Sequence, residues 1–243
     1  MAEQRQNIYI GAPGFKGLNT QDSPVTQDPA FASIAENAVI DKYGRIAARK
    51  GLKKLTDSAT PLGSSVGIEA IFEYIDERGD KVVFSAGNNK IFTGTTTLTD
   101  VTPSGYTPTA NNWKIVNFNN HAYFFQRGHE PLIYTDESGS GVLDNISDHS
   151  HATGTAPQAN EALAAFGRVW AADFTGNKYT LRWSDLLKGH HWTGGSSGSL
   201  DLTTVWPTGY DEIVALSEFN DFLVIFGKNS ILLYSGASSP STM

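Results

Sequence analysis

The chain has 243 residues, 40% of them hydrophobic, with 18 Lys and Arg against 25 Asp and Glu and a formal charge of −7. That length and apolar content suffice for a single all-β domain, and the acidic balance argues against a dedicated DNA reader, which would neutralise phosphates with a basic face. Cysteine is absent, which removes disulfides, thiolate zinc sites and cysteine nucleophiles in one step.

The N-terminal residues contain no apolar core of signal-peptide length, and no later stretch approaches the roughly 18 apolar residues of a membrane span. The expectation is a soluble chain made in a cytoplasm. Ile8–Ile10 reads as a strand and is followed by Gly- and Pro-punctuated coil from Gly11 to Pro29. Asp28–Asn37 predicts about two turns of helix, with Asp28 as N-cap, Pro29 at the first helical position, and Phe31, Ile34 and Ala35 as the apolar stripe. Glu36–Asp41 and Arg45–Lys50 then pair as a hairpin whose turn, Lys42-Tyr43-Gly44, is supplied by Gly44. Residues 1–62 form this N-terminal arm and hairpin, and residues 63–243 hold a repeat.

The repeat appears when segments ending in an aromatic are stacked. Its first unit is Ile68–Tyr74, Lys81–Ala86 and Lys90–Phe92, and its second is Trp113–Phe118, His121–Phe125 and Pro131–Tyr134. The third is Glu161–Phe166, Arg168–Ala172 and Tyr179–Trp183, and the fourth is Glu212–Phe219, Phe222–Phe226 and Ile231–Tyr234. The closing aromatics Phe92, Tyr134, Trp183 and Tyr234 recur at intervals of roughly 40 to 50 residues, the period of propeller blades. A fourth strand follows three of the units at Leu98–Thr102, Leu143–Ser147 and Leu200–Thr203, each carrying an Asp (Asp100, Asp144, Asp201). The expectation is an all-β fold of propeller-like four-stranded antiparallel blades, three complete and the fourth incomplete, with a β-sandwich as the competing architecture. The recurrent Asp predicts a turn or strand-end hydrogen bond repeated in each blade.

Three stretches then align with a known family: Gly17-Leu-Asn-Thr-Gln-Asp-Ser-Pro24, Glu36-Asn37 with Gly44-Arg-Ile-Ala-Ala-Arg49 and Gly51, and Asp221–Gly236. Together they resemble the tail nozzle, also called tail tubular protein B or tail hub, of short-tailed bacteriophages. The resemblance implies a homo-oligomeric, hexameric ring in the virion tail that extends the DNA channel below the portal and adaptor. It also implies a role in genome retention and ejection, tail fibres or spikes as further partners, transient non-specific passage of DNA, no cofactor and no membrane insertion. Nozzle chains are usually longer, and this sequence stops where the last strand of the fourth unit would begin. That strand is expected from Ile8–Ile10, from a neighbouring subunit or from further residues.

Lys42, Arg45, Arg49, Lys50, Lys53 and Lys54 lie together with no acid among them, leaving 12 of the 18 cations against all 25 acids, or −13, in the rest of the chain. This cluster is a candidate docking arm for an acidic ring or DNA phosphates, and equally reads as a solvated hairpin. Asp148, His149 and His151 have metal-ligand character, but a polar connector accounts for them as well. Lys188, His190, His191 and Trp192 sit in a long insertion, Ser184–Gly198, and are candidates for partner contact because long loops on rigid scaffolds often bind, with a merely decorative loop as the other reading. No clean Asp-box turn occurs, and Gly-rich stretches such as Gly194–Ser199 lack the strand-loop-Lys-helix context of a phosphate loop, so the chain reads as non-enzymatic. The other function class is a carbohydrate-binding or glycan-hydrolysing propeller, which would need tryptophans displayed for sugar stacking. Most of the five tryptophans fall at strand positions, which favours packing.

Overall fold

A computed structural model describes residues 14–43, 45–51, 67–87, 89–109, 112–136, 140–207 and 209–240. The chain divides into two compact units, Met1–Lys54 and Leu55–Met243. The expected boundary at residue 62 and the strand expected at Ile8–Ile10 both lie outside the described residues.

In the first unit, β1 (Gly17–Leu18) pairs in parallel with β2 (Phe31–Ala32). The helix expected over Asp28–Asn37 is corrected: Asp28 closes a turn. Its carboxylate accepts the Ala30 N–H at 2.9 Å and its carbonyl accepts the Phe31 N–H at 2.9 Å, after which the chain extends into β2. Two turns of isolated helix carry too few hydrogen bonds to offset nucleation, and pairing with β1 supplies an alternative for the same backbone. Asn37 adopts a left-handed φ of 53°, ending the segment before the hairpin of β3 (Ala38–Ile40) and β4 (Ile46–Ala48). The hairpin turn is organised by Asp41, whose carboxylate accepts the Tyr43 and Arg45 N–H groups at 2.8 and 2.9 Å. Gly44, the expected turn residue, lies outside the described residues.

Among the described residues the second unit is four antiparallel sheets, each a simple meander. The first contains β5 (Ala70–Ile75), β6 (Lys81–Gly87), β7 (Lys90–Thr93) and β8 (Thr99–Asp100). The second contains β9 (Lys114–Phe118), β10 (His121–Phe125), β11 (Leu132–Thr135) and β12 (Val142–Asn145). The third contains β13 (Ala159–Ala165), β14 (Arg168–Phe174), β15 (Thr180–Trp183) and β16 (Gly198–Asp201). The last has three strands among the described residues, β17 (Ile213–Phe219), β18 (Phe222–Gly227) and β19 (Ile231–Tyr234). Three of the first hairpins turn on residue pairs with positive φ, Asn119-Asn120, Phe166-Gly167 and Asn220-Asp221. That is the two-residue turn whose twist matches paired strands.

Side-chain alternation stacks these sheets as blades. From β10, Ala122 and Phe124 pack with Tyr74, Phe84 and Ile91 of the first blade, while Tyr123 and Phe125 pack with Val169 and Ala171 of the third. From β14, the intervening Trp170 and Ala172 turn to Leu216, Leu223 and Ile225 of the fourth. Edge-on rings lock the first interface, with centroids 5.0 Å apart for Phe84–Phe124 and 4.8 Å for Phe84–Tyr134. Four sheets therefore enclose three successive cores, where a sandwich has two sheets around one. The stack has unlike ends. The outward side of the first blade carries the ion pairs Lys81–Glu73 and Lys90–Asp100 beside the exposed Ile71 and Ile75, whereas that of the fourth exposes Phe219, Phe222, Ile231 and Leu233.

The Asp expected at each fourth strand has its predicted role in two blades. Asp100 accepts the Thr102 N–H at 3.0 Å and hydroxyl at 2.7 Å, and Asp201 binds the Thr203 N–H at 2.9 Å and its hydroxyl. In the second blade the residue two before the hydroxyl is Asn145, which donates to Asp148 at 2.8 Å as the chain enters a 3-10 turn at Ile146–Asp148. Asp144 stands one position out of step.

Candidate functional site

Five of the six histidines meet at the seam between the second and third blades, although three separate segments deliver them. His121 opens β10 directly after the Asn119-Asn120 turn, and its Nδ1 lies 2.7 Å from the Asn119 carbonyl. His149 and His151 follow the 3-10 turn that leaves β12. His190 and His191 come from the insertion between β15 and β16.

Buried polar contacts hold that insertion in place. Arg168, only 3% exposed, donates to the carbonyls of Ser184 and Ser196 at 3.0 and 3.1 Å. Asp185 accepts the N–H groups of Ser196 and Leu186, each at 2.9 Å, and the Ser196 hydroxyl. The Ser196 N–H is the main reason its carboxyl sits below the usual range, against the opposing effect of burial. Gly189 is required by close approach, since a Cβ there would lie 2.5 Å from the Tyr123 ring. The insertion then crosses the seam. Asn119 donates to the Leu187 carbonyl at 2.8 Å, Thr153 N–H to His190 at 3.3 Å, and Trp192 N–H to Thr153 at 2.8 Å.

The result is an open cavity of about 420 Å³ lined by the five histidines together with Asn119, Leu187 and Lys188. Ring centroids are 4.5 Å apart for His149–His190, 4.8 Å for His190–His191, 5.8 Å for both His121–His190 and His149–His151, and 6.0 Å for His121–His149. His190 is 9% exposed, with its Nδ1 3.3 Å from the Tyr123 hydroxyl. Burial first, and then the neighbouring imidazoles, push its pKa down to about 3. Burial likewise raises the Tyr123 phenol. Among the described residues no three His, Asp or Glu side chains are arranged to hold a metal ion, so the metal reading of Asp148, His149 and His151 gains no support.

Of the four partner-contact candidates on the insertion, the structure corrects two, Trp192 and His190. Trp192 is 4% exposed and packs with Phe125, Ile146 and Phe174 in the core between the blades, and His190 is buried beside it. Lys188 is exposed and pairs with Asp185 at 4.0 Å, and His191 is half-buried at the cavity wall. In the first unit Lys42, Arg45, Arg49 and Lys50 are exposed, and among the described residues none forms an ion pair; Lys42 and Arg45 instead flank the Tyr43 ring at 5.0 and 5.3 Å. Lys53 and Lys54 lie outside the described residues. Sequence reasoning missed His121 altogether, and missed the convergence because separations of up to 70 residues join these rings only through blade stacking.

No family model and no curated protein sequence matches the chain. Among solved structures, the computationally designed Ika8 protein is similar over 83% of this chain and 69% of its own, at 12% identity and a TM-score of 0.34. That depth of likeness carries no functional argument.

Proposed function

We propose that the protein is a non-enzymatic structural component of a phage tail, a nozzle-type ring subunit that extends the DNA channel and assembles with a portal-side adaptor ring. The observation that carries this reading is the open end of the blade stack. The fourth blade has three strands among the described residues and an apolar outer side, with Leu233 63% exposed, a face suited to being covered by another subunit. An exposed hydrophobic strand edge invites pairing, which is a liability for an isolated enzyme and an asset for an assembly part. The exposed cations of the β3–β4 hairpin supply a second contact of opposite charge to the acidic remainder of the chain. All five tryptophans pack inward or against a core, so none is displayed for the sugar stacking that the carbohydrate-binding alternative calls for.

Electron microscopy and native mass spectrometry of the protein, alone and with the adaptor and portal of its particle, test the proposal. A ring coaxial with the adaptor is expected. A chain that stays monomeric in both conditions, or one that hydrolyses glycans in a glycosidase screen, overturns it.

A further inference from the structure

The arginines of the blades differ in how their charge is met. Arg78 pairs with Asp76 at 2.6 Å, Arg127 pairs with Asp173, and Arg168 donates to two carbonyls with Asp185 close enough to act on it. Arg182 is half-buried and, among the described residues, forms no ion pair, in a chain that carries 25 acids. Burial lowers its pKa from the ordinary value, and no carboxylate works against that. A cation held in this way lacks the counter-charge that usually accompanies burial.

Arg182 is nonetheless well placed. It lies in β15 two residues after Thr180, so both side chains leave one face of the strand, while Leu181 and Trp183 enter the core shared with the fourth blade. Its Nη2 donates to the Thr155 carbonyl at 3.2 Å, and its guanidinium carbon stands 5.8 Å from the centre of the Trp192 ring. The guanidinium borders an open cavity of about 380 Å³ between the connector 155–158 and the β14–β15 turn. Its polar lining is Arg182 with Thr155, Gln158, Thr175, Asn177 and Thr180, and no acid is among the described residues that line it. Asn177 accepts the Tyr179 and Thr180 N–H groups on its side-chain oxygen at 3.3 and 3.1 Å, so its amide offers the cavity only N–H donors. Pro157 and Phe174 add apolar surface.

We infer that this cavity binds a carboxylate, which the Arg182 guanidinium grips with two N–H groups while the threonine and amide side chains donate to the rest of the ligand. The planar fork of arginine matches the two oxygens of a carboxylate. One cation among neutral donors balances one negative charge, whereas a phosphate dianion would leave a surplus beside an acidic chain. The volume suits a small organic acid. The same chemistry is presented by a free hydroxy acid and by an acidic side chain of a protein partner. The site does not rest on the tail reading.

Nuclear magnetic resonance of the full, isotope-labelled chain reads the Arg182 Nε–H signal directly. Gluconate, N-acetylglutamate α-amide and inorganic phosphate are titrated separately at constant ionic strength. Both carboxylates are expected to shift the Arg182 signal saturably, at lower concentration than phosphate, with the Arg78 signal unmoved. Tighter gluconate identifies a free hydroxy acid as the source of the carboxylate, and tighter N-acetylglutamate amide a partner's side chain; either order upholds the site. Arg182→Lys keeps the charge but not the fork and is expected to weaken binding about tenfold or more, read from the backbone signals of Thr180 and Asn177. Should that variant fail to fold, Thr180→Val, which removes one donor at nearly constant shape, is expected to weaken it about twofold to tenfold. No saturable shift at Arg182, a preference for phosphate, equal shifts at Arg78 and Arg182, or affinity unchanged in every folded variant overturns the inference.

Discussion

Trp170 lies in the middle of β14 with 0% exposure, and its indole N–H donates to the Ala165 carbonyl at 2.9 Å. It fills the third core against Trp183, with ring centroids 5.4 Å apart. Trp170→Ala is expected to cost about 3–5 kcal/mol in chemical denaturation, through lost burial plus the cavity left behind. Ile71, 69% exposed on the outer side of the first blade, is expected to change stability by less than about 0.5 kcal/mol when replaced by Ala. His190 makes a pH prediction whose sign is fixed by its environment. Its folded pKa lies below the unfolded value, so the unfolded chain binds the proton more readily as pH falls. The stability it contributes is complete above about pH 6.5 and is lost progressively toward pH 3, by at most about tenfold in the folding constant per pH unit. Urea titrations between pH 7.5 and 4.5 check this, and His190→Gln is expected to flatten the profile. None of this was legible one residue at a time. A histidine in a strand start, two in a connector and two in a loop carry no mark in the sequence that they share a cavity.

The hairpins separate what local sequence dictates from what packing decides. Asn119-Asn120 and Asn220-Asp221 are turns of one type, with positive φ at both positions. Asp221→Gly is expected to stabilise by about 0.5–1 kcal/mol, because glycine reaches that φ without a Cβ penalty. Asn120→Gly is expected to destabilise despite the same φ, since the Asn120 side chain accepts the Glu77 N–H at 2.9 Å across the first blade interface. Thermal melts of the two variants should move in opposite directions. Strand positions could be read from the sequence because turn residues and closing aromatics punctuate them, and both signals are local. The Asp28–Asn37 segment misled because N-cap, proline and apolar spacing also suit an Asp-centred turn, and partner availability, here β1, chose between them. The Asp144 expectation failed for a similar reason: two matching blades hid a third in which Asn145 and a 3-10 turn take over the strand end.

At the scale of the whole molecule, charge and exposure concentrate at the hairpin and at the outer side of the fourth blade. Arg45→Glu/Arg49→Glu is expected to weaken docking to an acidic ring partner, with the largest effect at low salt, where charges are least screened. Sedimentation of the mixed components checks this, and unchanged assembly would make the hairpin a solvated face only. Ile231→Lys/Leu233→Lys, by contrast, is expected to suppress self-association of the isolated chain without a loss of folded content, since both side chains already face solvent. The unlike ends of the stack also bear on how the chain comes to be folded. Every strand in the four sheets pairs with its immediate neighbours in sequence, so loop-closure entropy is small at each step and folding is expected to be fast for an all-β protein. As the polypeptide leaves the ribosome, the first blade is complete before the second appears. Each later blade then condenses on an apolar surface that the preceding one has just presented. Synthesis thus lays the four blades down in one direction, each condensing on the face of the one before it.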